Sequence, residues 1–166
     1  MEVEKEVMST ITYRQAASDD LGALATLRFE MEVEQGNESP EDAGGNVDPQ
    51  AYAKAYANST GEEMKGRRNR VWLAEADGEA VACVLLVWWV LPPKFDNFTR
   101  KRGFVSSVFT RPAYRRQGIA RHLMQMLIAS AREEGIGRLI LWSSEMGRPL
   151  YEQLGFTGSR GLELNL

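Results

Sequence analysis

The residues most suited to chemistry surround a basic turn, Tyr114-Arg115-Arg116-Gln117-Gly118. Upstream, residues 103–110 are rich in β-branched and aromatic types and read as a strand. Arg111-Pro112 ends it, because proline has no N–H to give to a ladder. Downstream, Ile119, Leu123, Leu127 and Ala131 recur every four residues and predict a helix from Ile119 to near Gly135. Strand, glycine-containing turn and helix start together can hold a phosphate: free N–H groups and the positive end of the helix dipole face the anion. Basic residues are unfavourable at that end of a bare helix, so their clustering there also points to an anion. The bland alternative is an exposed basic helix end. No Walker A sequence and no full G-x-G-x-x-G is present.

Arg115-x-x-Gly118-x-Ala120 resembles the (Arg/Gln)-x-x-Gly-x-(Gly/Ala) signature of the GNAT superfamily of N-acetyltransferases. A second landmark follows at a fitting distance: Leu150-Tyr151-Glu152-Gln153-Leu154-Gly155-Phe156 is similar to that family's LYxxLGF. The resemblance implies acetyl-CoA as cosubstrate. It assigns the backbone of Val108, Phe109 and Thr110 to the pantetheine and thioester, where the strand splays from its neighbour. It assigns Arg116, Gln117, Gly118, Ile119, Ala120 and Arg121 to the pyrophosphate, and Tyr151 to protonation of the departing thiolate. A plain core strand and a packed core tyrosine are the alternatives. Two positions depart from the pattern. Ser144, counted with the cofactor-binding residues, stands where many members have Asn, and the run Val105-Ser106-Ser107-Val108 lacks the Glu that often serves as base. The base therefore stays open among Glu145, Glu30, Glu34 and a water chain.

The 166 residues predict one domain with a substantial core, residues 10–166, behind a flexible segment, residues 1–9. That segment carries Glu2, Glu4, Lys5 and Glu6 and no apolar stretch, so it does not read as a signal peptide. Residues 11–15 read as a strand. Ser18 is the expected N-cap of a helix from Asp19 to about Gln35, burying Leu21, Leu24, Leu27 and Met31. Residues 36–47 read as a polar loop. Asp48-Pro49 starts a second helix to about Asn58, with residues 60–69 as its tail or a loop. Residues 71–75 and 80–91 read as strands about an Asp77-Gly78 hairpin turn, the second of them central and covered on both faces. Residues 92–102 read as a long loop. Residues 138–143 read as a strand, residues 147–155 as a short helix closing at Gly155, and residues 156–166 as terminal strand material. The order β-α-α-β-β-β-α-β-α-β matches the GNAT fold. The resemblance thus implies an α/β (α+β) acyl-CoA N-acyltransferase fold, a mixed, mostly antiparallel sheet flanked by helices.

Single Cys83 and single His122 allow no internal disulfide and no His/Cys zinc site. Cys83 reads as inert core and His122 as a solvated surface residue. Trp88 and Trp89 point to opposite faces of one strand, one toward the core and the other toward the acceptor cleft. A net charge of −3 argues against a nucleic-acid partner, and the longest apolar run is too short to span a membrane. We expect a cytoplasmic N-acetyltransferase with no metal, acting by direct transfer on a small-molecule amine. Oligomeric state is open, with a homodimer as the candidate. Glu30, Glu32, Glu34, Glu38, Glu41, Asp42 and Asp48 against one nearby base, Arg28, favour a cationic acceptor, the alternative being that most of these acids merely solvate a loop. The alternatives are a non-catalytic acyl-CoA-binding module, a protein or peptide N-acetyltransferase, and an unrelated nucleotide-binding domain.

Overall fold

Two residues with positive φ, Asp77 at 51° and Gly78 at 81°, make the tight turn from which the sheet is built. The turn joins β2 (Asn69–Ala76) to β3 (Glu79–Val90) with Ala76 opposite Glu79. β1 (Ile11–Gln15) pairs antiparallel with β2, and β4 (Lys101–Thr110) antiparallel with β3. β5 (Ile136–Ile140) runs parallel to β4, which gives the sheet order β1-β2-β3-β4-β5. The structure is a computed structural model that describes residues 10–35, 48–66, 68–93, 95 and 99–158.

Helices cover both faces. α1 (Leu21–Glu34) sets Leu24, Leu27 and Met31 against Val71, Leu73, Cys83 and Phe109. α2 (Pro49–Lys65) packs beside α1, which brings Tyr56 onto that cluster. On the other face α3 (Ile119–Glu133) sets Ile119, Leu123, Met124 and Leu127 against Trp72, Val84, Leu86 and Val105. β3 is thus central and covered on both faces, as its unbroken apolar run implies. The short α4 (Arg148–Gln153) closes the second layer with Tyr151.

Several boundaries differ from expectation, each for a local reason. Ser18 does not cap α1. It opens a 3-10 turn, Ser18–Asp20, in which the Asp20 carboxylate accepts from the Ala17 N–H (2.7 Å). Arg14 on β1 holds Asp20 through two 2.7 Å hydrogen bonds and also reaches Glu75, so a tertiary ion pair decides where α1 begins. That pairing holds the Asp20 carboxyl below its usual range. α2 runs past Asn58 to Lys65 because Gly61 lets Leu21 approach and Thr60 is buried; packing overrides weak local propensity. Lys101 and Arg102 extend β4 and do not belong to the loop. β5 begins at Ile136, directly after Gly135 at φ 69° ends α3, so its frame lies earlier than residues 138–143. Phe156, Thr157 and Gly158 form no strand. Residues 159–166, the acidic loop 36–47 and residues 1–9 lie outside the described part.

Candidate active site

The site grows from an irregularity in β4. Cys83 faces Phe109 and Leu85 faces Ser106, so β4 carries one more residue than β3 across this interval. Ser107 absorbs the difference at φ 51°, an uncommon conformation for a residue with a Cβ. Ser106 and Ser107 in succession both offer their hydroxyls to Arg28 of α1, at 3.4 and 3.1 Å. The Cys83 thiol donates to the Ser107 carbonyl (3.4 Å). Alternation then resumes: Val108 packs with the α3 layer and Phe109 with the α1 layer.

On its other edge β4 pairs with β5 only from Lys101 to Phe104. Gly103 marks the close contact, since a Cβ there would lie 2.7 Å from Leu139 and 2.9 Å from Leu86. Beyond Phe104 the strands separate, and residues 105–110 have no strand partner on that side among the described residues. The Arg111 N–H bonds the Val81 carbonyl of β3 (2.9 Å), so edge alternation gives Val108 and Thr110 to the unpaired side. Phe109 presents its backbone to β3. Phe109 is also among the residues that line the cleft.

A cleft of about 1260 Å³ fills the gap. One end is the basic turn. Arg116 and Gly118 both have positive φ, 61° and 79°, and Gly118 occupies the N-cap of α3. A Cβ on Gly118 would meet no protein atom within 4 Å, so open space faces the turn. Arg116, Gly118, Ile119, Ala120 and Arg121 line the cleft. Ile119 buries its side chain, leaving its N–H as the available group. Gln117 is not among the lining residues, and its amide donates to the Ala113 carbonyl (3.4 Å). Arg121 hydrogen-bonds Gln153 of α4.

At the other end stand Tyr151 and Ser144. The Tyr151 ring is buried, meets Phe156 edge-on at 6.1 Å, and its hydroxyl has no hydrogen-bond partner among the described residues. Burial raises its pKa above the ordinary phenol value, so it keeps its proton at neutral pH. Gly147 makes room for the ring, since a Cβ there would lie 3.0 Å from Tyr151 Cε2. Ser144 lines the cleft, but its Oγ accepts from the Gly147 N–H (3.2 Å) and its carbonyl from the Arg148 N–H (3.1 Å). It therefore fixes the start of α4.

Other candidates fall elsewhere. Glu145 is exposed and outside the lining. Glu30 is gripped by Arg111 through two 2.9 Å bonds, and Arg111 also reaches Glu79. Glu34 lines the cleft, but Arg115 holds it at 2.5 Å. Glu32 pairs with Arg28. The acids of α1 thus face three arginines, which corrects the expectation of one nearby base. Asp48 caps α2 by accepting from the Gln50 N–H (3.0 Å), while Glu38, Glu41 and Asp42 lie outside the described residues. Burial pushes the Cys83 thiol up to about 12. His122 is exposed and stacks on Tyr13 at 4.0 Å. Trp88 is core, under the Arg70 guanidinium, and Trp89 is not among the residues lining the cleft, contrary to expectation. The tryptophan that lines it is Trp142, exposed beside Phe104 at 4.5 Å. Sequence reasoning also missed the side-chain work of Arg115. Its Nε donates to the Thr110 carbonyl (2.8 Å) while its guanidinium ties Glu34 and lies 5.9 Å from the Phe109 ring centre. Among the described residues no group of three or more His, Cys, Asp or Glu is gathered to hold a metal. No helix among them is long and apolar enough to cross a membrane.

Comparison with known proteins bears on this geometry. A sequence profile described as "Acetyltransferase (GNAT) family" matches residues 33–156. Glucosamine 6-phosphate N-acetyltransferase of Trypanosoma brucei brucei is 33% identical over 98 residues, 58% of this chain and 65% of that protein. "Probable N-acetyltransferase 14" of Danio rerio is 30% identical over 101 residues, 57% of this chain and 33% of that one. The chain spans less than two thirds of the length of either relative. The crystal structure of a predicted acetyltransferase with acetyl-CoA from Clostridium acetobutylicum superposes with a TM-score of 0.82 at 27% identity, covering 94% of this chain and 96% of that one.

Proposed function

The chain belongs to the acetyltransferase (GNAT) family, and from this premise we propose that it transfers an acetyl group from acetyl-CoA to a primary amine of a small molecule. One observation carries the reading: β4 parts from β5 after Phe104, opening a cleft that runs from the basic turn to Tyr151. The residues fit acetyl-CoA. The open αL turn at Arg116 and Gly118 and the first N–H groups of α3 suit a pyrophosphate. The unpaired edge at Val108 and Thr110 suits an amide-rich arm, which pairs with it as a strand would.

The chemistry assigned to the chain follows. The Val108 N–H, on the unpaired edge, is the donor for charge developing on the thioester oxygen. As the amine nitrogen bonds the acetyl carbon and the C–S bond breaks, the nitrogen gives a proton to water. Tyr151 O–H donates to the departing sulfur and regains its proton from solvent. Because a free thiol titrates near 8.5 and burial raises the phenol, a strong hydrogen bond or partial proton transfer suffices. No acyl-enzyme nucleophile is needed, since Cys83 is buried away from the cleft. That supports direct transfer in a ternary complex.

The acceptor would enter beside Met31, Glu34, Trp142 and Met146, which line the cleft. A cationic amine is the acceptor we infer. Glu30, Glu32 and Glu34 already face arginines, so the inference rests on the net charge of −3. A second reading, an acyl-CoA-binding module without turnover, draws on β4 presenting Ser106 and Ser107 with no carboxylate. Thiol release from acetyl-CoA, measured over cationic, neutral and anionic small amines and peptides, decides between them. We expect turnover with a small cationic amine and a KM that rises with salt. Absence of thiol release with every amine would overturn transfer, and preference for an anionic amine or a peptide would overturn the acceptor assignment.

A further inference from the structure

The transfer chemistry above depends on where the Val108 N–H points, and Val108 directly follows the residue whose backbone is least at ease. Ser107 has φ 51° and its side chain is buried. A serine does not hold that conformation by preference, so its surroundings must impose it. Three contacts act there, one of them a hydrogen bond between the Tyr56 hydroxyl of α2 and the Ser107 side chain. The Arg28 Nη1 donates to the Ser107 Oγ at 3.1 Å and to the Ser106 Oγ at 3.4 Å. The Cys83 thiol reaches the Ser107 carbonyl at 3.4 Å. A thiol is a weak donor, whereas a guanidinium donates with full charge. Arg28 is itself steadied by Glu32 one turn along α1. The guanidinium therefore reaches across from α1 and fastens the two residues that put the extra step into β4.

We propose that Arg28 is a positioning residue for acetyl transfer: by pinning the Ser106–Ser107 bulge from α1, it sets the direction of the Val108 N–H at the unpaired edge of β4. The inference rests on the transfer reading, but the pin itself is a property of the ligand-free protein. Without Arg28, Ser107 relaxes toward ordinary strand backbone, and Val108 turns with it. The phosphate turn is built from other residues and stays as it is.

Two variants address this. Arg28→Ala removes the donor from a half-buried helix position that alanine suits, and Ser107→Ala removes the acceptor while leaving Arg28 in place. Each is expected to shift the Val108 amide resonance of the ligand-free protein. Each should also lower kcat about 10- to 100-fold with KM for acetyl-CoA within about twofold, the scale of a misplaced transition-state contact. Ser107→Gly in the Arg28→Ala background should restore most of kcat, because glycine adopts positive φ without a pin. An unmoved Val108 resonance, or an unchanged kcat, overturns the proposal. So does an effect confined to KM for the amine, which would make Arg28 an acceptor contact. If the wild type releases no thiol with any amine, the transfer reading falls, while the Val108 resonance still decides whether Arg28 pins the bulge.

Discussion

Tyr151 shows how one side chain acquires a role from what surrounds it. Its ring, carried by α4, is buried in the core cluster that α3 shares with the sheet, and Gly147 leaves room for it. Tyr151→Phe keeps that packing and removes the donor. We expect kcat about 10²- to 10⁴-fold lower, the usual range for a positioned acid, with acetyl-CoA affinity unchanged. A variant within about threefold of wild type would leave Tyr151 a packing residue only. The same burial makes a statement about pH. The folded phenol holds its proton above the unfolded value near 10, as do Tyr13 and Tyr56. The stability these phenols contribute is present below pH 10 and is lost as pH rises through their folded values. Denaturant melts between about pH 9 and 11 should therefore show a shallower decline for Tyr151→Phe than for wild type. Tyr151 was readable in the sequence because a local motif frames it. The partners of Glu30 and Glu34 were not, because Arg111 and Arg115 lie 81 positions away and meet them only after folding.

Among the elements, β4 and the turn after it carry most of the site. Periodicity located the strand, the turn and α3, but β4 started too late, at Gly103, because Lys101 and Arg102 look like loop residues by charge. The bulge was invisible for a related reason: Ser106-Ser107 has no glycine or proline to announce it, and the conformation comes from tertiary contacts. Arg115 is the clearest joint between elements. It ties the Thr110 carbonyl at the end of β4 to Glu34 at the end of α1, across the mouth of the cleft. Arg115→Ala should raise the KM for acetyl-CoA several-fold and lower stability by about 1–3 kcal/mol, the cost of losing charged hydrogen bonds. Denaturant melts with matched kinetics check both. A stability loss with unchanged KM would make the joint structural only.

Over the described residues, the molecule is a five-stranded sheet with α1 and α2 on one face and α3 and α4 on the other. The order of elements from β1 to α4 could be read from the chain. The parallel pairing of β5 with β4, and its early end, leave no mark on residue spacing, and only the family resemblance implied a mixed sheet with a splayed strand. That separation is what the account turns on, and ligand binding tests it. A ligand at one hundred times its Kd stabilises by about 2.7 kcal/mol, which for a chain of this size raises Tm by about 5–10 °C. The decisive measurement is calorimetric titration of acetyl-CoA into the folded wild-type protein. The account predicts saturable heat at one site per chain and a rise in Tm of that order; no heat and no shift at millimolar acetyl-CoA would contradict it.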